Sequence, residues 1–294
     1  MKAEMRPIPA KFHYTFNLRD VSKVVMGLTQ SNSERIRSEM SLLRLFIHEG
    51  SRVFCDRLID QKDKEWFYEQ IVTISKSCFL NVDKEKIKLE DLFYNKPVRF
   101  TAIVNPGVED IYEDVESFDR LVELLEEYQN QYNAEPANTN KLNLVFFKEA
   151  VDHILRIYRV LNQPRGNLML VGIGGLGKQS LTTLATSIIG FNLQKLDIPG
   201  GNFSLENFKQ WMREQVLLPC AGPTAGKDGI PTTFQIIDNQ VVSDSILEMI
   251  NSILNSGEVP NIFSGEEKQQ LIDGLSSDVL NDSAHANLSP EDIF

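Results

Sequence analysis

The stretch GIGGLGKQS at residues 172–180 decides the fold of this chain. It nearly matches GxxxxGK followed by Ser or Thr, in which a glycine-rich turn points backbone N–H groups at phosphate oxygens. The apolar run 168–171 before it predicts a strand buried on both faces, and residues 181–189 after it predict a helix. The sequence therefore predicts a phosphate-binding loop between a strand and a helix, with a bare structural turn as the alternative.

Each residue type in this loop has a chemical role. Glycine permits the backbone conformations of the turn, Lys178 supplies positive charge at the β- and γ-phosphates, and the following helix adds a favourable dipole. The residues expected to contact the nucleotide are Gly172, Gly174, Gly175, Gly177, Lys178, Gln179 and Ser180.

Two positions depart from the pattern of a hydrolytic site. Gln179 stands where a serine or threonine hydroxyl normally binds Mg²⁺. Asp238 follows the largely apolar segment 234–237 and is expected to hold Mg²⁺ through water, the alternative being a turn residue at a strand end. Asn239 replaces a glutamate that polarises water, and losing such a base costs about two to four orders of magnitude in rate. The site is expected to bind nucleotide better than it hydrolyses it, and no catalytic residue is assigned.

Strands alternate with helices on both sides of the loop. The pattern predicts helices over 144–161, 204–217 and 243–254, and strands over 192–198 and 232–237. Such alternation favours a parallel α/β sheet. The polar stretch 273–294 is too short to finish that sheet, so we expect the sheet to be incomplete.

The first half of the chain is predicted to be helical. Asn17 is expected to cap an amphipathic helix whose apolar residues are Leu18, Val21, Val24, Val25 and Leu28. Further helices are predicted over about 33–59, around 66–74 and after Asp114, which together make a small bundle. The polar segment 132–141 is expected to link the two halves.

Composition excludes several classes of function. The net charge of -11 argues against nucleic-acid binding, because phosphate backbones repel an acidic surface. The three cysteines lie far apart, which gives a disulfide framework or a zinc site little support. No apolar run approaches the length of a membrane span, and the N-terminus does not read as a secretory signal. We therefore expect a soluble intracellular protein without a membrane or nucleic-acid partner.

Several segments resemble dynein heavy chains, and they occur in the expected order. They are HYTFNLRDVS at 13–22, RVLNQPRGN at 159–167, GGLGKQSL at 174–181 and LNSGEVP at 254–260. The resemblance implies an α/β P-loop NTPase (AAA+) large subdomain, truncated, preceded by an all-α helical small subdomain. Residues 1–135 would be the small subdomain of the third module of the dynein ring, and 136–294 the incomplete large subdomain of the fourth.

The resemblance also implies roles for particular residues. Arg19 matches a sensor arginine that reaches the nucleotide of the preceding module; otherwise it pairs with Asp20 or Glu34 on an exposed helix. The adenine of the nucleotide, ATP or ADP with Mg²⁺, would lie near three residues that otherwise are plain core: Leu144, Val145 and Phe147.

The implied partners are the remaining AAA+ modules of the same heavy chain, and dynein intermediate and light chains through the parent protein. The microtubule would be reached only through a stalk outside this sequence. Gln179 and Asn239 look more like axonemal than cytoplasmic dyneins, which implies a place in the cytoplasm and cytoskeleton, in the axoneme of a cilium or flagellum. Three hypotheses remain open: a regulatory nucleotide-binding segment of a motor, an independent P-loop NTPase or kinase, and a structural spacer without ligand.

Overall fold

The computed structural model describes residues 1, 4–32, 36–95, 97–104, 112–163, 166–196, 204–220, 230–257, 259 and 261–273. The chain divides into two compact units, Met1–Glu127 and Tyr128–Phe294. No helix in the described part of the chain has the length and apolar character needed to cross a bilayer.

The first unit is mainly helical, as predicted. Its helices are α1 (Leu18–Thr29), α2 (Glu39–Gly50), which continues in a π-helical turn (Ser51–Cys55), α3 (Gln61–Cys78) and α4 (Phe118–Ala134), whose last residues belong to the second unit. A short antiparallel pair, β1 (Phe100–Thr101) and β2 (Glu113–Asp114), was not predicted. Arg44 of α2 secures this pair, because its Nη2 donates to Asp114 Oδ1 at 3.1 Å.

The start of α1 confirms the predicted cap. The Asn17 side chain accepts hydrogen bonds from the backbone N–H groups of Arg19 and Asp20, at 2.9 and 3.3 Å. The Asp20 carboxylate in turn accepts from Asn17 N at 2.9 Å, which completes a capping box. These bonds satisfy N–H groups that a helix start otherwise leaves without acceptors.

The buried face of α1 differs from the prediction. The helix buries Asp20, Val24 and Gly27, whereas Leu18, Val21 and Val25 are exposed. The buried position of Asp20 has a polar partner: the carboxylate forms an ion pair with Arg57, which follows the π-helical turn. Only part of the predicted apolar stripe faces solvent, since Val24 is buried and Leu28 is half-buried.

The second helix begins later than predicted. It starts at Glu39, where Ser38 Oγ accepts from Ser41 N at 3.1 Å. The predicted start near residue 33 lies outside the described residues. The core between α2 and α3 is a cluster of buried side chains: Met5, Tyr14, Phe16, Leu43, Ile47, Cys55, Leu58, Phe67, Ile71, Val72, Val82, Ile87 and Leu92.

The second unit contains a parallel pair of strands, which confirms the predicted parallel pairing. Strand β3 (Asn192–Lys195) runs beside β4 (Thr232–Gln235), with Asn192 opposite Thr232 and Lys195 opposite Gln235. The helices are α5 (Lys148–Leu161), α6 (Lys178–Ile189), α7 (Leu205–Trp211), a π-helical turn (Met212–Leu217), α8 (Leu218–Cys220), α9 (Asp244–Ser256) and α10 (Gly265–Asp273). A core cluster of this unit gathers Leu196, Phe208, Met212, Val216, Ile246, Met249 and Val259.

Two predictions near the loop are wrong. Residues 168–171 form no strand, and Met169 and Val171 are 87% and 84% exposed instead of buried. A buried strand needs hydrogen-bonded neighbours, and among the described residues β3 and β4 pair only with each other. The preceding helix starts at Lys148 rather than at residue 144, because Phe147 has extended backbone.

Candidate phosphate-binding site

The loop 172–177 leads directly into helix α6. Gly177 is the residue before the helix, and its φ of 73° lies in the left-handed region, as does the φ of 83° at Gly175. Residues with a Cβ rarely adopt such angles, so the sequence needs glycine at both positions. Leu181 N donates to Gly177 O at 2.8 Å, which closes the first turn of α6 against the loop.

The loop exposes its backbone on the side where a ligand would approach. A Cβ built on Gly174 or Gly175 would have no heavy atom within 4 Å. In the described part of the chain, the N–H groups of residues 173–177 donate to no acceptor. The loop therefore offers unpaired donors at a helix N-terminus, which is the arrangement that anions favour.

Lys178 folds back across this loop. Its Nζ donates to the carbonyl oxygens of Gly172 at 2.8 Å and Ile173 at 2.7 Å. An ammonium group has three donors, so these two bonds leave one donor, together with the positive charge, for a phosphate. The Lys178 side chain thus bonds the start of the loop and keeps its positive charge next to it.

The departures from the hydrolytic pattern occupy the first turn of α6. Gln179 is exposed, so its amide is the polar group at the position where a hydroxyl normally binds Mg²⁺. Ser180 is half-buried. The hydroxyls of Thr182 and Thr183 donate to the carbonyls of Lys178 and Gln179, at 2.9 and 2.8 Å, and so are engaged by the helix backbone.

The three residues expected near the adenine are only partly brought to the loop. A Cβ on Gly177 would lie 3.8 Å from Leu144 Cδ2, so Leu144 lies beside the base of the loop. Val145 and Phe147 are 76% and 58% exposed, which contradicts the alternative that they are plain core. Both side chains belong to the segment before α5, where they leave apolar surface open to solvent.

Two amides of α4 hold this segment, and sequence reasoning missed both. Gln129 Oε1 accepts from Leu144 N at 2.8 Å. Asn133, one turn further along, accepts from Leu142 N at 2.7 Å and donates to Leu142 O at 2.8 Å. The signal in the sequence is a pair of amides four residues apart on the polar end of an amphipathic helix.

Asp238 and Asn239 lie together in a short 3₁₀ turn (Asp238–Gln240) that follows β4. Both side chains are exposed at the end of the strand. Within the described residues, no hydrogen bond or ion pair joins them to the loop 172–180. Gln235 in the preceding strand has a buried Oε1 without a partner among those residues.

Arg19 lies in the first turn of α1, and its side chain is exposed. The Asp20 carboxylate, one of the two partners considered for it, pairs instead with Arg57, whose Nη2 donates to Asp20 Oδ1. The other partner, Glu34, lies outside the described residues.

Comparisons with known proteins agree with the motifs. Residues 142–294 match the family described as the P-loop containing dynein motor region D4, and residues 1–89 match the AAA+ lid domain family. Dynein axonemal heavy chain 6 of Homo sapiens is 38% identical over 276 residues, which is 92% of this chain and 6% of that protein. Dynein axonemal heavy chain 2 of Mus musculus is 38% identical over 287 residues, 97% of this chain and again 6% of the relative. The chain therefore spans about 6% of the length of these relatives.

Proposed function

Because the chain belongs to the dynein heavy-chain family, we propose that it binds ATP or ADP at residues 172–180 and regulates a microtubule motor ring. In this role it is a piece of the ring whose nucleotide sets the angle between neighbouring subdomains. Residues 1–135 would be the small subdomain of the third module, and residues 136–294 the large subdomain of the fourth.

The observation that carries the proposal is the conformation of Lys178. Its ammonium group bonds the carbonyls of Gly172 and Ile173, while Gly174 and Gly175 leave open space in front of unpaired N–H groups. Water can satisfy these exposed donors in the free protein, whereas a helix N-terminus next to a lysine is an arrangement that favours phosphate. Nucleotide phosphates supply both the negative charge and the acceptors that this arrangement lacks.

Hydrolysis at this site is proposed to be weak or absent. Asn239 stands beside Asp238 at the end of β4, and its amide cannot take a proton from an attacking water. Magnesium prefers oxygen ligands, and the exposed Asp238 carboxylate suits it through a bound water. Steady-state phosphate release should therefore be negligible, and rapid release would instead favour an independent NTPase or kinase.

The parent protein would supply the partners. We place the chain beside the other AAA+ modules of its heavy chain, with intermediate and light chains and the microtubule engaged by other parts of that protein. The relatives are named axonemal dyneins, so we place this chain in the axoneme of a cilium or flagellum. Microtubule motor activity would belong to the whole heavy chain.

A structural spacer is the second candidate. It is favoured by Gln179 at the metal position and by residues 168–171, which lie exposed instead of supporting the loop as a strand. A spacer would retain the fold but bind no nucleotide. Binding measurements therefore separate it from the regulatory site.

Thermal unfolding with and without MgATP or MgADP tests the proposal. Ligand at 100 times its dissociation constant should stabilise the chain by about 2.7 kcal/mol. The Lys178→Ala variant should lose this stabilisation, whereas Lys148→Ala, which removes an exposed lysine at the start of α5, should keep it. Equal stabilisation of all three proteins would place the nucleotide elsewhere, and no stabilisation of any would favour the spacer.

A further inference from the structure

We propose that Gln240 is a positioning residue, which holds the Asp238–Asn239 turn in place for a magnesium-bound nucleotide. The inference rests on the nucleotide-binding function proposed above and adds a residue that no motif identifies. Gln240 itself would touch neither the metal nor the phosphates. It would act through the two exposed residues that precede it.

The side chain of Gln240 is bonded at both ends of its amide. The residue is only 6% exposed. Its Oε1 accepts from Ile237 N at 2.8 Å, and its Nε2 donates to Leu196 O at 2.5 Å. Since a backbone N–H only donates and a carbonyl only accepts, these two partners fix the orientation of the amide.

These bonds join the two strands beyond the end of their ladder. The last paired residues of β3 and β4 are Lys195 and Gln235. Leu196 follows the first of these, and Ile237 lies two residues beyond the second. The Gln240 side chain therefore ties the carboxyl ends of both strands together where their own backbones no longer pair.

The same residue closes the turn that carries the candidate metal ligand. Gln240 N donates to Ile237 O at 2.9 Å, and Val241 N donates to Asp238 O at 3.1 Å. Asp238 and Asn239 are thereby held between a buried anchor and the strand end, with their side chains exposed. Ligands of parallel α/β sheets bind outside the carboxyl ends of the strands, which is where this turn lies.

Such an anchor matters because an exposed turn must be ordered before it can help to bind a metal. A turn ordered in advance spares that entropic cost at the moment of binding. Residues that orient metal ligands without touching the metal typically change metal affinity by about 10–100-fold when they are replaced. Gln240 has the burial and the two directed bonds that such a role requires.

The test compares ATP affinity with Mg²⁺ and with EDTA, in the 294-residue chain and four variants. Gln240→Met keeps the length of the side chain but loses both bonds. It should weaken MgATP binding about tenfold, while the affinity for ATP in EDTA, which depends on the loop 172–180, stays within about twofold. Asp238→Asn should have the same magnesium-specific effect, and the double variant should be no worse than either single one.

Gln235→Met is the matched control. It makes the same replacement at the end of β4, outside the 3₁₀ turn, at a side chain whose buried Oε1 has no partner in the described part of the chain. It should leave the magnesium dependence unchanged. If thermal unfolding shows that Gln240→Met does not fold, Gln240→Asn replaces it, because the shorter amide cannot reach both Ile237 N and Leu196 O.

The outcomes separate this inference from the proposed function. If the unaltered chain binds no ATP in either condition, both fail. The inference alone fails if Asp238→Asn abolishes the magnesium effect while the Gln240 variant retains it. Loss of affinity by the same factor with and without Mg²⁺ would show a merely structural role and would also overturn it.

Discussion

Replacing Gly27 with alanine should destabilise the first unit, although alanine is the better helix former. A Cβ at this position in α1 would lie 1.7 Å from Glu49 Oε2 and 2.3 Å from Glu49 Cδ. Glu49 is fully buried, and its Oε1 accepts a hydrogen bond from the Tyr112 hydroxyl at 2.6 Å. The carboxyl group therefore cannot swing aside without losing that bond or pushing α1 away.

Three terms set the size of the effect. Helix propensity alone favours alanine by about 1 kcal/mol. Forcing an extra carbon into a packed interior typically costs about 1–3 kcal/mol, and leaving a buried polar group without its hydrogen bond costs about 1–3 kcal/mol more. The unfavourable terms win, and we expect the free energy of unfolding of the first unit to fall by about 3 kcal/mol.

Urea denaturation followed by tryptophan fluorescence measures this change. The chain has two tryptophans, of which Trp66 lies in α3 of the first unit and Trp211 in the second, so a Trp211→Phe background reports the first unit alone. Gly50→Ala is the matched control, because its methyl group would lie 3.2 Å from Ile71 Cδ1, a distance that a small shift relieves. It should cost less than about 1 kcal/mol.

A double-variant cycle isolates the cause. In a Glu49→Ala background the clash disappears, so adding Gly27→Ala should be neutral or stabilising. The reasoning is refuted if Gly27→Ala leaves the unaltered unit as stable as before, or if its cost is the same in both backgrounds.

Two further predictions concern the polar contacts around α1. Tyr14→Phe removes a hydroxyl that donates to Asp63 Oδ2 and accepts from Ile59 N, both at 2.9 Å. Urea denaturation should show that the free energy of unfolding falls by about 1–3 kcal/mol. Unchanged stability would contradict the assigned bonds. Burial by itself would raise the pKa of Asp20, but hydrogen bonds from Arg57 and from the helix cap outweigh it and lower that pKa below the ordinary 3.8. The ionised Asp20 carboxylate therefore stabilises the folded state above pH 3.8, and this contribution is lost as the pH falls through the lowered folded-state pKa. Asp20→Asn should remove this part of the acid sensitivity, and an unaltered acid profile in that variant would count against the ion pair.

Local signals in the sequence were reliable where the residue and its partner are neighbours in the chain. Asn17 caps its helix as predicted, since it accepts from N–H groups two and three residues away. The glycine-rich loop and α6 also follow from local chemistry. The parallel strands followed from the alternation of short strands with helices.

Signals that depend on distant partners failed. The run 168–171 has the composition of a buried strand, but composition does not say whether a neighbour is present to pair with it. The buried face of α1 includes Asp20, whose ion-pair partner Arg57 is 37 residues away. In the site, Lys178 was predicted from its motif, whereas Gln240 was not, because its partner Leu196 O lies 44 residues away.

Hydrogen–deuterium exchange over residues 172–180 tests the central claim most directly. The N–H groups of residues 173–177 have no acceptor in the described part of the chain, so they should exchange rapidly in the unliganded protein. Saturating MgATP should slow exchange in this peptide in the unaltered chain and leave it rapid in Lys178→Ala. Equal exchange with and without nucleotide, or equal protection in Lys178→Ala, would contradict the claim that this loop binds the phosphates.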